Sequence, residues 1–509
     1  MSEPIDEILK AQHPTPVDAE LEKIQSFTGK YPKQLWYLFT VEMWERFCFY
    51  GMRGMLTVFM ASQLGLTDKA ANLQYGAIQA FVYAFTFIGG LFADKILGFR
   101  KSLFWGALMM IAGGFIIAVS PEEFFYIGIC FSIIGTGFFK PNISTMVGQL
   151  YKDGDSRRDA GFSLFYAGIN LGAFLGGIIM VWFGLNVSWN IAFGLVGVVM
   201  TISIITFWLT QKSMGPIGLS PLSITMPASK KRMYEIATYV GSLITIPLIL
   251  ILVKNSNYTD MVMYIVGPAA LLYVLFEMRK YDTVARKKLT AALIFIVFSI
   301  FFWAFFEQSG GSLSLFAFNN LNNSLFGIPI NPNVVNNSAN SLFVIVFAPL
   351  LGLLWIWLAK RKKEPNAGAK FGLGFLLLAA AFYVFYYTIK FADTQTGLTS
   401  LEIFTLGYFI ITFGELCLSP IGLSLMTKLS PQPMQGLMMG MWFLASAYGQ
   451  YAAGLLGAGM SAADNNATAY EKLVGYTNGY EQLAIYAVIA GVALLLLSPV
   501  IKKLMGATR

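Results

Sequence analysis

Glu42, Glu45, Arg46, Arg53, Lys140, Glu307 and Glu415 each stand inside a long apolar run of the 509-residue chain. An ionised side chain near the middle of a bilayer costs about 2.5–3.5 kcal/mol on insertion scales, so such residues face a cavity or a partner. Their chemistry is charge pairing and proton exchange. The first four lie in one stretch, Glu42-Met-Trp-Glu45-Arg46-Phe-Cys-Phe49-Tyr50-Gly-Met-Arg53. At 100° per residue, Glu42, Glu45, Arg46, Tyr50 and Arg53 fall within an arc of roughly 140° on a helix. One reading is a fixed ion-pair staple between helices; the other is a binding or coupling face in a transporter.

The acids Glu42, Glu45, Glu307 and Glu415 outnumber the bases Arg46, Arg53 and Lys140. With every base partnered, one carboxylate remains to take up a proton. Burial and a nearby base act in opposite directions on a carboxylate's proton affinity, so making and breaking a pair can drive proton exchange. Bases from the first half and Glu415 from the second suit a small zwitterion. Its carboxylate would meet Arg46 and Lys140 and its ammonium Glu415, with Asn170 and Asn340 taking the remaining hydrogen bonds. An amino acid and a short peptide fit this pattern equally.

The elements that must position these groups are helices. The chain is 56% hydrophobic and 12% charged, with mean hydropathy +0.63; soluble domains run near 25% charged, so this is an integral membrane protein. Runs of about 20 apolar residues mark spans. Fourteen are expected, near 34–60, 72–97, 101–119, 123–150, 159–184, 188–211, 233–253, 260–279, 289–318, 335–359, 370–392, 399–427, 434–459 and 479–501. The alternation of a β-barrel is absent, so the fold class is an all-α polytopic membrane protein. Bends are expected at Pro141, beside Lys140, and at Pro420; Pro349 is expected to interrupt its span.

Several spans carry paired signals. Gln79 and Tyr83 share a face. Gly168, Gly172 and Gly176 form a ladder for close helix packing, and Tyr166 and Asn170 lie on the opposite side. Trp303 and Glu307 share a face, as do Glu415 and Ser419. Trp442 stands among methionines and reads as adaptable lining or as core. Asp94, beside Lys95 and Arg100, reads as a movable charge contact or as ordinary loop charge.

Cys48, Cys130 and Cys417 lie inside spans and read as small buried apolar residues. No metal-ligand spacing appears, and neither a metal nor a cofactor is expected. The only histidine, His13, lies in the polar N-terminal tail, so proton chemistry in the membrane falls to carboxylates. The net charge of +8 reflects topology rather than a nucleic-acid partner. Basic clusters such as Arg286-Lys287-Lys288 and Lys360-Arg361-Lys362-Lys363 fall on one side, whereas the opposite loops hold Lys69, Lys254, Lys390 and Lys472. Both termini are therefore expected in the cytoplasm. The division expected is a cytoplasmic tail (1–33), a six-helix bundle (34–211), a connector with two extra membrane helices (212–288) and a second six-helix bundle (289–505). Two-bundle secondary transporters bind substrate between such halves.

The motifs at Glu42–Tyr50, at Gly89–Asp94, at Phe165–Gly172, at Phe306–Gln308 and at Glu415–Pro420 resemble those of the proton-dependent oligopeptide transporter family, a bacterial-type branch of the major facilitator superfamily. One departure is Phe49, where the family commonly has tyrosine. The resemblance implies the major facilitator fold and import of di- and tripeptides with protons by alternating access, across the inner membrane of a bacterium. It assigns Arg46, Lys140 and Tyr50 to the peptide's carboxyl end and Glu415, Asn170 and Asn340 to its amino end. Tyr83 and Trp442 would line side-chain pockets. Glu42, Glu45 and Lys140 would serve proton coupling, and Arg53 with Glu307 a gating salt bridge. The partners implied are peptides, protons and the lipid bilayer. Another substrate on the same scaffold, such as nitrate or a drug-like zwitterion, is the first alternative, and a channel the second. An enzyme is not expected, because no nucleophile–base or metal constellation appears.

Overall fold

The computed structural model describes residues 16–152, 154–418, 422–461 and 467–506. The long helices, in chain order, are α1 (Lys33–Ser62), α2 (Asp68–Phe92), α3 (Phe99–Val119), α4 (Pro121–Gln149), α5 (Arg158–Asn186), α6 (Trp189–Thr210), α7 (Ala228–Lys254), α8 (Ser256–Met278), α9 (Thr283–Phe306), α10 (Pro332–Lys360), α11 (Ala367–Tyr387), α12 (Leu401–Leu418), α13 (Gln435–Met460) and α14 (Ala469–Met505). Apart from a hairpin of two-residue strands, Ser324–Leu325 with Ile328–Pro329, the described chain is helical or irregular. That hairpin turns through Phe326 and Gly327, both at positive φ.

Twelve helices among the described residues are long and apolar enough to cross a membrane. The fourteen expected spans include two that fall short by composition rather than by length. Helix α1 has 30 residues but carries Glu42, Glu45, Arg46 and Arg53. Helix α13 has 26 and is rich in glycine, with Ser446, Tyr448 and Tyr451 among them.

Two sequence expectations need correction. Helix α10 runs unbroken through Pro349; a membrane helix tolerates one missing donor where local adjustment satisfies the freed carbonyl. Of the run expected at 399–427, the described residues form α12 and the helix Gly422–Leu429; Ser419 and Pro420, between them, lie outside the described residues, as does His13. Helix α14 begins ten residues before its expected start. There a capping box joins Thr468 and Glu471, satisfying amide groups that would otherwise be orphaned at the helix start.

Packing explains how a cavity forms. Helix α1 lies against α5 and α6, and α3 against α4 and α6; α11 lies against α12 and α14, and α9 against α13. The glycine ladder works as its spacing predicts. A Cβ at Gly172 would stand 3.0 Å from Arg46 Cβ, and one at Gly176 would stand 3.1 Å from Gly51 N. Helices α1 and α5 thus meet at backbone distance, which fixes the rotation of the charged stripe. Two seams join these groups of helices, α2 with α13 and α5 with α10. At the first, a Cβ on Gly76 would lie 2.7 Å from the Cα of Gly454. Aromatic cores fill the groups on either side, Phe59, Phe125, Trp189 and Phe193 in one and Phe382, Phe385, Phe404 and Tyr480 in the other.

Helices α7 and α8 sit outside this frame, with only 28% and 17% of their most apolar windows buried, against 61% for the helix that begins at Asp68. They contribute no residue to the cavity described below. Their attachments reach both sides of a seam. Lys101 pairs with Glu235 at 2.6 Å and Trp105 donates to Ser242 at 3.0 Å, while Tyr451 donates to Asp260 and Tyr448 to the Met263 carbonyl.

Before α1, the short helix Pro16–Gln25 docks on the α4–α5 turn. Gln25 donates to the Gln149 carbonyl at 3.0 Å, and the Arg157 guanidinium stacks on Phe27 at 3.9 Å. Hydrogen bonds from Arg157 hold the Asp155 carboxyl below the usual carboxylate range.

Candidate functional site

Between the two seams lies a cavity of about 780 Å3, within the range of small-molecule sites. Its wall takes Glu42, Arg46, Tyr50 and Arg53 from α1, Tyr83 from α2, Lys140 from α4 and Asn170 from α5. The facing wall brings Glu307 from the turn after α9, Asn340 from α10, Glu415 from α12 and Trp442 from α13. The sequence-predicted residues therefore meet at one place, with two exceptions. Glu45 is fully buried behind the wall, and Ser419 lies outside the described residues.

Arg46 Nε lies 2.7 Å from Glu42 Oε1 and 2.8 Å from Glu45 Oε2. Among the described residues, Glu42 Oε2 and both oxygens of Glu45 accept no hydrogen bond, the contact of Glu45 with Arg46 being an ion pair. Two buried carboxylates thus share one guanidinium, one negative charge in excess, and a proton on either carboxylate would cancel it. The stripe on α1 is a charged cluster rather than one matched pair.

By charge count every base could find a partner, and a lysine in an apolar span needs an acidic partner or gives up its proton. Among the described residues Lys140 forms no ion pair with a carboxylate. Its ammonium stands over the ring of Tyr83 at 4.3 Å and that of Phe49 at 5.3 Å. Ring faces attract cations without adding a counter-charge, and Lys140 lines the cavity from that position.

Arg53 closes one end. Its guanidinium pairs with Glu307 and donates to Ser309 Oγ at 2.9 Å and to Tyr75 OH at 2.8 Å. Nearby, Thr57 donates to the Gly310 carbonyl, and Asn337 donates to the Gly54 carbonyl at 3.3 Å. At the other end the lining continues to Phe162 and Ser163 on α5 and to Leu351 and Trp355 on α10.

Glu415 accepts from Asn340 Nδ2 at 3.0 Å, and the same amide reaches Thr412 Oγ1 at 3.1 Å. Asn340 therefore holds the carboxylate rather than facing the cavity alone. Asn170 donates to the carbonyl of Tyr166 at 3.0 Å, which leaves its carbonyl oxygen for a ligand. Gln308, in the same motif as Glu307, is buried away from the cavity. It donates to the Ala304 and Ala453 carbonyls, both at 3.0 Å, and so clamps α9 to α13.

Sequence reasoning missed a second polar cluster beyond Arg53. Asp68, at the start of α2, accepts from Tyr476 OH at 3.0 Å and pairs with Lys472 at 3.3 Å, while Asn72 donates to Ser461 at 3.0 Å. The signal was the spacing of Lys472, Tyr476 and Tyr480, four apart, hidden because α14 was expected to start later. Tyr75 was missed too, though it extends the Gln79–Tyr83 spacing by another four residues. Asp94 is exposed and forms no ion pair among the described residues; the neighbouring Arg100 donates to the Ile217 carbonyl at 2.7 Å.

Comparison with known proteins follows this geometry. The model of the POT family (PTR2) matches residues 100–473. The peptide transporter YePEPT of Yersinia enterocolitica is 34% identical over 95% of this chain and 97% of that protein. The dipeptide and tripeptide permease A of Yersinia pestis is 30% identical over 94% of each. Among solved structures, a peptide transporter POT in complex with sulfate superimposes with a TM-score of 0.81 at 32% identity, covering 94% of this chain and 97% of that one. A POT family transporter in complex with 5-aminolevulinic acid gives a TM-score of 0.81 at 28% identity, over 94% and 99%.

Proposed function

The chain belongs to the POT family, and from that premise we propose that it imports di- and tripeptides together with protons by alternating access. It is an integral membrane transporter and not an enzyme. The observation that carries the substrate reading is the division of charge around one cavity: Arg46 and Lys140 on one wall, Glu415 on the facing wall. A peptide is a zwitterion whose ends match that division. Its carboxylate meets Arg46, Lys140 and the Tyr50 hydroxyl; its ammonium meets Glu415 and the carbonyl oxygens of Asn170 and Asn340. Tyr83 and Trp442 line the space between.

The proton partner is the excess charge of the Glu42–Glu45–Arg46 cluster, aided by Lys140. Arg53 with Glu307 forms the gate, and the Asp68 cluster reinforces the same end. The basic residues at 286–288 and 360–363 favour cytoplasmic termini; in that orientation the Arg53–Glu307 end faces outward and this form is closed outward. In this reading α1 and α13 also cross the membrane, giving fourteen spans, two six-helix bundles (34–211 and 289–505) in a major facilitator fold, and α7 with α8 lying in lipid between them. The membrane is the inner membrane of a bacterium.

Glu415→Gln tests the substrate reading. A charged hydrogen bond contributes about 1.5–3 kcal/mol, so half-saturation for dialanine should rise roughly 10- to 100-fold. Analogues lacking the amino group should change little. Equal loss for both would remove Glu415 from the amino end. A non-peptide zwitterion is the second reading, favoured by the relative solved with 5-aminolevulinic acid. Competition of such compounds against labelled dialanine separates the two.

A further inference from the structure

Phe49 is the residue of the charged stretch that no role yet accounts for. It is 2% exposed and does not line the substrate cavity. It forms part of a small cleft behind it, with Met52, Gln79 and Ser132. Yet its ring is shared by two cations of the cavity wall. The Lys140 ammonium stands 5.3 Å from its centroid and the Arg46 guanidinium 5.6 Å. Tyr50 packs edge-on against it, centroids 5.1 Å apart at 84°.

The two cations depend on this ring unequally. Arg46 is held by Glu42 and Glu45, whereas Lys140 forms no ion pair among the described residues and stands over the faces of Tyr83 and Phe49. A carboxylate in place of Phe49 would hold Lys140 more tightly but cancel its charge. A ring holds it through the negative face of its quadrupole and adds neither charge nor proton.

We infer that Phe49 is a positioning residue for recognition of the substrate's carboxyl end, its buried ring holding Lys140 against the cavity wall with the ammonium still free to pair. This rests on the zwitterion reading of the cavity. Phe49 touches no substrate; it acts through Lys140. A rise in half-saturating concentration specific to substrates with a free carboxylate is therefore its signature, with the maximal rate much less affected.

The test compares half-saturation and maximal rate in proteoliposomes for dialanine and for its C-terminal amide. The variants are Phe49→Leu, which removes the ring face, and Phe49→Tyr, which keeps it. The wild type should favour dialanine over the amide. Phe49→Leu should lower that preference about five- to 30-fold, the spread from an exposed to a desolvated cation–π contact, and Phe49→Tyr should restore it. Phe49→Met, similar in volume to leucine, replaces the leucine variant where that protein does not fold. An unchanged preference in the non-aromatic variants overturns the inference, as does equal loss in Phe49→Tyr, which would assign the effect to packing. A wild type that takes the amide as readily as dialanine overturns the zwitterion reading and this inference with it. If the wild type discriminates and the non-aromatic variants do too, only the inference falls.

Discussion

Lys140→Ala should abolish gradient-driven accumulation of dialanine while leaving the protein folded. The two halves of that expectation come from one observation. Lys140 lines the cavity but joins no ion pair among the described residues, resting on Tyr83 and Phe49. Removing it strands no buried carboxylate, so the stability loss should stay near the worth of two ring contacts, about 1–3 kcal/mol. The transport loss is much larger. A membrane potential of 100 mV supplies about 2.3 kcal/mol per charge, enough for roughly 50-fold accumulation of a neutral solute driven by one proton. The variant should only equilibrate its substrate. Uptake under an imposed gradient, with a thermal melt of the same sample, checks both. Normal accumulation would remove Lys140 from coupling.

Arg46→Ala should fail in the opposite way, by losing stability first. Its guanidinium is the shared partner of two buried carboxylates, Glu42 and Glu45, whose remaining oxygens have no donor. Breaking a buried pair from one side costs about 3–5 kcal/mol, because the charge left behind has neither water nor a counter-ion. The melting temperature should fall accordingly. Adding Glu42→Gln and Glu45→Gln to Arg46→Ala should recover most of the stability, because it removes the stranded charges. Transport should stay lost. An Arg46→Ala protein that melts like the wild type would contradict the shared-partner geometry.

The contrast shows which parts of the site could be read from residues alone. The rotation of the α1 stripe was legible because helical spacing places Glu42, Arg46, Tyr50 and Arg53 on one face. The Gly168–Gly172–Gly176 ladder also indicated a close neighbour, though the sequence could not say that α1 is that neighbour. Glu307 and Glu415 were visible for the same reason that they are costly: charges in apolar runs stand out. The missed groups were those whose meaning depends on what crosses the seam. Asp68 and Lys472 read as loop charges, and only the packing of α2 beside the start of α14 joins them. Lys140 was read as needing an acidic partner or giving up its proton. Ring faces are invisible to a charge count, and Phe49 and Tyr83 read as apolar or merely polar lining until their faces were placed. Pro349 was read as a break because proline lacks the backbone donor, yet the helix continues through it.

The central claim is that a proton gradient drives a peptide through this cavity. Its most direct test is uptake of labelled dialanine by purified protein in liposomes under an inward proton gradient. Accumulation above the external concentration that an uncoupler abolishes is the predicted result. Across a panel of dipeptides, the absence of any uncoupler-sensitive uptake would contradict it.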